Sequence, residues 1–311
     1  VRMKYVISLF DLDSNELEEI FLCAADLKER TESGSRDPLL NQRVVALIFE
    51  KPSLRTRVSF ETAMIHLGGS SLFLMAEEVG LGHRESVPDF ARVLGGYVDG
   101  VVLRTFSHDL QVEFARHSQV PVINGLSDYA HPCQAMTDLF TLTERWSSIE
   151  ERTLVFVGDG NNVARSLAIG CGKLGMRFIL AAPKQYQFEE SFQQELRERV
   201  PQLLWSQQAD PMDAVKGADV IYADVWTSMG QEEEANVRRE ALQPFQVNQH
   251  LMEKASPDAC FMHCLPAHRG EEVTTEVIDG PQSMVFQQAA NRLHLQKALL
   301  LTLLKKEEKS D

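Results

Sequence analysis

Short, strongly apolar runs alternate with helical periods along nearly the whole chain, and that rhythm narrows the fold more than any other feature. VVALIFE (44–50) reads as a buried strand, and the helix after it places Phe60, Met64 and Leu67 at helical spacing before Gly68 and Gly69 end it. SSLFLM (70–75) is the next strand, followed by a polar loop, AEEVGLGHRES. A helical PDFARVLGGYV leads to the strand DGVVLRTF (99–106), and then VPVING (120–125). Residues from about Pro132 to Trp146 are helical in pattern and mark a domain boundary. A second series then begins with TLVFVGDG (153–160), a helix from about Asn162 to Leu174, and the strand MRFILAAP. The Gln/Glu-rich stretch 184–200 reads as a solvated helix, 219–226 as a strand, 227–240 as a Glu-rich loop and ACFMHCLP as a strand. A long terminal helix runs at least from Gln287, and the opening segment is a helix capped by Asp11 or Asp13. Strands alternating with helices predict an α/β protein of two domains, each with a mostly parallel sheet flanked by helices. The boundaries are 1–130, completed by the terminal helix at about 287–306; an interdomain helix, 131–147; and 148–286.

Composition limits the partners. A net charge of -14, from 45 acidic and 31 basic residues, and the absence of a long Lys/Arg run argue against nucleic acid. The apolar runs are far shorter than the ~20 residues of a membrane helix. The five cysteines form no CxxC and no disulfide-framework pattern, and the start lacks a signal-peptide pattern, so the expected location is the cytoplasm.

The chemistry-bearing residues collect where strands end. In PSLRTR (52–57) a buried strand gives way to a helix with Ser53 near its cap. Unpaired backbone N–H groups there attract an anion. Ser53 and Thr56 add hydroxyls and Arg55 a guanidinium fork. An ordinary capped helix with surface arginines fits the same residues. Arg104 leaves its strand at a carboxyl end, where open α/β sheets gather ligands. His131 and Gln134 follow another strand; a histidine and an amide can polarise a carbonyl and hold an amino group, and such a histidine can equally cap structure. GDGNNVARS (158–166) has no third glycine in place for a dinucleotide loop, which leaves Asn161 and Asn162 as polar groups at a helix start. Asp224 can fix a cationic amine. Cys264 with His263 and His268 allows either a cysteine nucleophile or a metal site, although the ligand spacing of a zinc site is missing.

Taken in order, these segments resemble the carbamoyltransferase family over nearly the whole chain. FEKPSLRTRVSFE resembles its carbamoyl-phosphate signature. HPCQ, GDGNN, DVWTSMGQE, HCLPAHRGEE and NRLH are similar to its ornithine branch; the aspartate branch usually has threonine in place of Cys133. The resemblance implies two α/β domains joined by interdomain helices, the first binding carbamoyl phosphate and the second the amino acid, with the terminal helix packed on the first. It implies that Ser53, Leu54, Arg55 and Thr56 wrap the phosphate, that Arg104 contacts the phosphate and carbonyl side, that His131 and Gln134 hold the carbamoyl group, and that Arg292 reaches the same substrate. Asn162, Asp224, Ser228 and Met229 would hold the ornithine amine and carboxylate, the SMG loop closing over them. Cys264 and Leu265 would orient the attacking δ-amine through their carbonyls. The implied reaction is direct carbamoyl transfer from carbamoyl phosphate to L-ornithine, with Arg55, Arg104, His131 and Cys264 at the reacting centre and no cofactor or metal. The implied assembly is a homotrimer with active sites near subunit boundaries.

Two positions depart from the family pattern. Leu54 stands where threonine is common, so one hydroxyl is lost while the backbone N–H remains. The leucine form is similar to relatives acting on N-acylated ornithine, but those generally lack the SMG loop present here. Gly80 stands where many relatives have a glutamine that a neighbouring subunit lends to the phosphate site. His83 and Arg84 are the candidates to replace it.

Overall fold

The computed structural model describes residues 5–227 and 232–305, and its chain divides into two compact units. One comprises Val1–Met136 with Asn291–Asp311, the other Thr137–Ala290. Each is built on a five-stranded, all-parallel sheet, as the rhythm of the sequence predicts.

In the first unit the strands are β1 (Tyr5–Val6), β2 (Val44–Phe49), β3 (Ser70–Met75), β4 (Gly100–Arg104) and β5 (Val122–Leu126), in the order β1-β5-β4-β2-β3. The helices are α1 (Ser14–Glu32), α2 (Leu54–His66), α3 (Ala76–Val79), α4 (Val87–Gly95), α5 (His108–His117) and the start of α6 (Pro132–Arg145). β2 and β4 are buried nearly throughout, the signature of central parallel strands covered on both faces. Asp13, rather than Asp11, caps α1: its carboxylate accepts from Glu16 N, and Glu16 returns a bond to the Asp13 backbone. From β2 the chain moves outward to β3, then crosses back to lay β4 on the other side of β2. That reversal opens a crevice beyond the carboxyl ends of β2 and β4, where Phe49 and Arg104 are register partners.

The second unit repeats the plan. β6 (Thr153–Val157), β7 (Arg177–Ala181), β8 (Trp205–Gln208), β9 (Val220–Ala223) and β10 (Cys260–His263) stand in the order β10-β9-β6-β7-β8. Around them lie α7 (Asn162–Lys173), α8 (Glu190–Arg199), α9 (Pro211–Ala214), α10 (Ala235–Leu242), α11 (Gln249–Met252) and α12 (Thr275–Ile278). Here the reversal falls between β6 and β9, so the segments after Val157 and Ala223 flank the crevice. α13 (Val285–Leu304) closes the chain. The polypeptide leaves the first unit within α6 and re-enters it within α13.

Several local expectations change. Residues 227–240 are not wholly loop, since α10 starts at Ala235 and buries Arg238 and Leu242. α8 is not simply solvated; Phe192 and Leu196 sink into the core four positions apart. The loop after β3 holds one helical turn, α3. α5, capped by Ser107, intervenes between β4 and β5. No helix among the described residues is long and apolar enough to cross a membrane.

Candidate active site

The first unit gathers a cationic cluster at its crevice. Ser53 caps α2, its hydroxyl accepting from Thr56 N at 3.2 Å. The first-turn amides of a thirteen-residue helix therefore sit at the carboxyl end of β2, where an anion is favoured. Thr56 is buried, and its hydroxyl receives Arg292 Nη2 at 3.0 Å and Arg104 Nη1 at 3.5 Å. Arg292 also donates Nη1 to Gln134 Oε1 at 2.8 Å. Four of the expected residues, Thr56, Arg104, Gln134 and Arg292, thus form one hydrogen-bonded set.

His131 lies buried in the same field. Burial first, then the charges of Arg292, Arg104, Arg55 and Lys51, push its pKa well below the ordinary value. The ring is neutral at physiological pH, able to donate or accept a hydrogen bond without adding charge. Lys51 was not among the residues expected from sequence. It is held below its ordinary pKa by burial and by Arg104, and its ammonium lies 4.0 Å from the Phe106 ring centroid. Its position between the end of β2 and the cap of α2 was the available clue. Leu54, in contrast, is 75% exposed and makes no core contact that its side chain would need.

Gly80 ends α3 in the left-handed region, at φ +70°. A Cβ there would fall 2.5 Å from Arg84 Cγ and Cδ, so the Arg84 chain occupies the space a side chain at position 80 would need. His83 and Arg84 are both exposed, and their amides close a turn onto the Gly80 carbonyl at 3.0 Å each.

The second unit places one buried carboxylate at its crevice. Asp224 follows β9 and is buried. Its Oδ2 accepts from Asn161 Nδ2 at 2.7 Å, and its Oδ1 from Val225 N at 2.8 Å and the Cys264 thiol at 3.0 Å. Asn161 also caps α7 through Oδ1, which receives Val163 N and Ala164 N at 3.0 Å each. Asn161 is thereby committed on both ends of its amide, while Asn162, the expected ligand, starts the helix beside it. Cys264 and Leu265 continue from β10, with Leu265 at φ 59°, a left-handed conformation uncommon outside glycine. Ser228 and Met229 lie outside the described residues.

The cluster also bears on the two readings of Cys264. Asp224, His263 and Cys264 bring donor atoms within 4.8 Å of one another, as do His268, Glu271 and Glu272. Both ring nitrogens of His263 are nevertheless engaged inside the protein, with Leu265 N and with Glu272. A metal would have to displace one of those bonds. As for a nucleophilic role, the Cys264 thiol donates to the Asp224 carboxylate, whereas an activated cysteine is paired with an imidazole base.

Comparison with known sequences decides the family. Residues 4–144 match the aspartate/ornithine carbamoyltransferase carbamoyl-P binding domain, and residues 150–303 match the Asp/Orn binding domain of the same family. The chain belongs to the aspartate/ornithine carbamoyltransferase family. An ornithine carbamoyltransferase of Bacillus subtilis is 48% identical over 309 residues, covering 99% of this chain and 96% of that protein. One of Archaeoglobus fulgidus is 48% identical over 305 residues, covering 98% and 99%. The solved ornithine carbamoyltransferase of Pyrococcus furiosus superposes with a TM-score of 0.95 at 46% identity, covering 99% of each chain. The family's two named domains correspond in order to the halves that carry the cationic cluster and the Asp224 carboxylate.

Proposed function

We infer that this chain transfers the carbamoyl group of carbamoyl phosphate to the δ-amine of L-ornithine, giving L-citrulline and phosphate. The observation that carries the reading is the pairing of opposite chemistries at equivalent places. A cationic crevice at one sheet reversal suits a dianionic phosphate, and the buried Asp224 carboxylate at the other suits an amino acid with a cationic amine. Relatives at 46–48% identity named ornithine carbamoyltransferase support ornithine as the acceptor.

In this reading Ser53, Leu54, Arg55 and Thr56 bind the phosphate through the α2 N-terminus and their side chains. Arg104 and Arg292 add charge, and His131 with Gln134 holds the carbamoyl carbonyl and amide. Asn162, Asp224, Ser228 and Met229 bind the ornithine backbone, and the carbonyls of Cys264 and Leu265 orient the δ-amine. The δ-ammonium, ordinarily titrating near ~10.4, sheds a proton to solvent, and its lone pair forms the new C–N bond. Charge builds on the carbonyl oxygen beside Arg55, Arg104 and neutral His131. Collapse breaks the C–O bond to phosphate, which leaves and can carry off the remaining proton. No enzyme group bonds covalently to the carbamoyl carbon; catalysis rests on alignment and charge stabilisation.

The chain acts as a homotrimer in the cytoplasm, in the anabolic direction of arginine biosynthesis. Exposed apolar side chains along α2, Leu54, Val58 and Ile65, support assembly. None of the five cysteines is in a disulfide, which supports a reducing compartment. A relative from Pyrococcus furiosus is named as the anabolic enzyme.

The test is phosphate and ureido-product release with ornithine, putrescine, aspartate and N-acetylornithine in parallel. Ornithine supports turnover, and Arg55→Ala lowers it by at least ~100-fold. Turnover with another amine alone would overturn the acceptor; none with any amine, from folded protein that binds carbamoyl phosphate, would overturn the activity.

A further inference from the structure

Asn124 and Ser127 build the turn that delivers His131, and the proposed chemistry uses neither. Asn124 lies fully buried on β5. Its Nδ2 donates to Ile7 O at 2.8 Å and to Ser127 Oγ and Ala130 O at 3.3 Å each. A carboxamide has two hydrogens, so Ile7 takes one while Ser127 and Ala130 share the other. Ser127, also fully buried, closes the turn: its N donates to Ala130 O at 2.9 Å, and its Oγ accepts Ala130 N at 3.1 Å. His108 Nδ1 lies 2.8 Å from the same hydroxyl. Asp128 pins the outer side, its N donating to Phe106 O at 2.8 Å and its Oδ1 accepting His108 N at 3.0 Å.

Ala130 O belongs to the peptide unit that ends in the His131 nitrogen, and that unit is planar. Holding the oxygen therefore orients the main chain entering His131. On the far side the His131 carbonyl accepts Gln134 N and Ala135 N at 3.2 Å each, which starts α6. The Cys133 thiol donates to the Asn124 carbonyl at 3.4 Å, tying the same strand residue to the first turn of that helix. The His131 backbone is thus fixed before and after the residue, and its buried ring is left with side-chain torsions alone. β5 adds one irregularity. Leu103 is opposite Asn124 but Arg104 is opposite Leu126, so Gly125 is an extra residue, a bulge of the kind that redirects a chain beside a site. A Cβ on Gly125 would stand 3.1 Å from Leu103 O and 3.4 Å from Thr56 Cγ2, so glycine keeps the bulge close against the donor cluster.

We propose that Asn124 and Ser127 are positioning residues for the donor site: together they fix the Ala130 carbonyl, and through it the angle at which His131 and the following Gln134 meet the carbamoyl group. This deepens the carbamoyl phosphate reading and rests on it. Neither residue is placed on a reacting atom in that chemistry. Both act on the entry to α6, so their loss loosens the donor site and leaves the acceptor residues, in the other unit, as they are. A displacement of about 1 Å at a reacting centre costs on the order of 100-fold in rate, so a freed turn has a measurable consequence.

The experiment compares Ser127→Ala, Ser127→Thr and Asn124→Ser in the full chain with Leu17→Ala, a cavity under α1 that serves as the stability control. Ser127→Ala removes the hydroxyl and keeps the Asn124 bond to Ile7, and threonine keeps the hydroxyl. Ser127→Ala raises the carbamoyl phosphate KM by at least about tenfold and leaves the ornithine KM within about twofold. Ser127→Thr recovers most of that loss, and Asn124→Ser matches or exceeds it. Leu17→Ala lowers the melting temperature with both KM values at the wild-type level. If Ser127→Ala and Asn124→Ser behave like Leu17→Ala, or if threonine recovers nothing, the proposal is overturned. Nitrogen-15 NMR of the His131 ring, assigned by its loss in His131→Asn, reads the turn independently of activity. Ser127→Ala displaces that signal, and an unmoved signal would also overturn the proposal. Wild-type protein that fails to bind carbamoyl phosphate in calorimetry, while Ser127→Ala still displaces the signal, would locate the failure in the substrate reading and leave the turn's construction standing.

Discussion

Replacing Thr56 by valine removes one oxygen from the donor site while nearly conserving side-chain volume. That oxygen is buried and takes Arg292 Nη2 at 3.0 Å, with Arg104 Nη1 at the 3.5 Å limit, where it contributes little. A buried hydrogen bond to a charged donor is worth ~1.5–3 kcal/mol, and Arg292 keeps its other tie to Gln134. The expected loss is thus ~2 kcal/mol, or roughly 4–8 °C in melting temperature for a unit of this size. The same loosening of Arg292 raises the carbamoyl phosphate KM about tenfold, the equivalent of ~1.4 kcal/mol, and leaves the ornithine KM within about twofold. A double-mutant cycle with Arg292→Met isolates the pair and returns a coupling of ~1.5 kcal/mol or more. Thermal melts and steady-state kinetics are sufficient. Strict additivity in the cycle, or an unchanged carbamoyl phosphate KM, would refute the idea that Thr56 orients Arg292 for the anion.

Leu54→Thr returns the missing hydroxyl at an exposed position. It shifts stability by less than ~0.5 kcal/mol and lowers the carbamoyl phosphate KM by roughly two- to tenfold, read from saturation curves. Gly80→Gln forces a side chain into the left-handed region and against Arg84, and costs at least ~1 kcal/mol in thermal melts; adding Arg84→Gly recovers only the steric part. His131 sets a pH dependence of stability. Its folded pKa is depressed, first by burial and then by the surrounding cations. Between that value and the unfolded value near ~6.5 the unfolded chain binds a proton the folded chain does not, so stability is complete above ~6.5 and falls as pH drops, by up to ~1.4 kcal/mol per unit. The melting temperature of the parent therefore drops more between neutral pH and mildly acid pH than that of His131→Asn; parallel slopes would contradict it.

How much of this was legible in the sequence depended on locality. β2, β4 and β6 show themselves because central parallel strands are apolar on both faces. Tyr5–Val6 is too short for a period, and Trp205–Gln208 sits at a sheet edge where WSQQ keeps its polar side chains. α5 did carry a signal, with Ser107 as cap and Leu110 and Phe114 on one face. The same rule governs the site. Ser53 to Thr56 are contiguous, so strand end, cap and arginine can be read together. Arg292 meets Thr56 across 236 positions, and Asn161 meets Asp224 across 63, contacts that no local pattern encodes. The family resemblance supplied Arg292 and Asp224; it did not supply Lys51, whose setting comes from the groups packed around it.

The carbamoyl carbon passes directly to the δ-nitrogen of ornithine. The most direct measurement is carbon-13 NMR of a reaction between carbonyl-13C carbamoyl phosphate and δ-15N ornithine. Direct transfer gives a citrulline ureido carbon split by one-bond coupling to 15N, growing in step with inorganic phosphate. Bicarbonate in place of the coupled ureide, or a carbamoyl carbon bonded to another nitrogen, would contradict it.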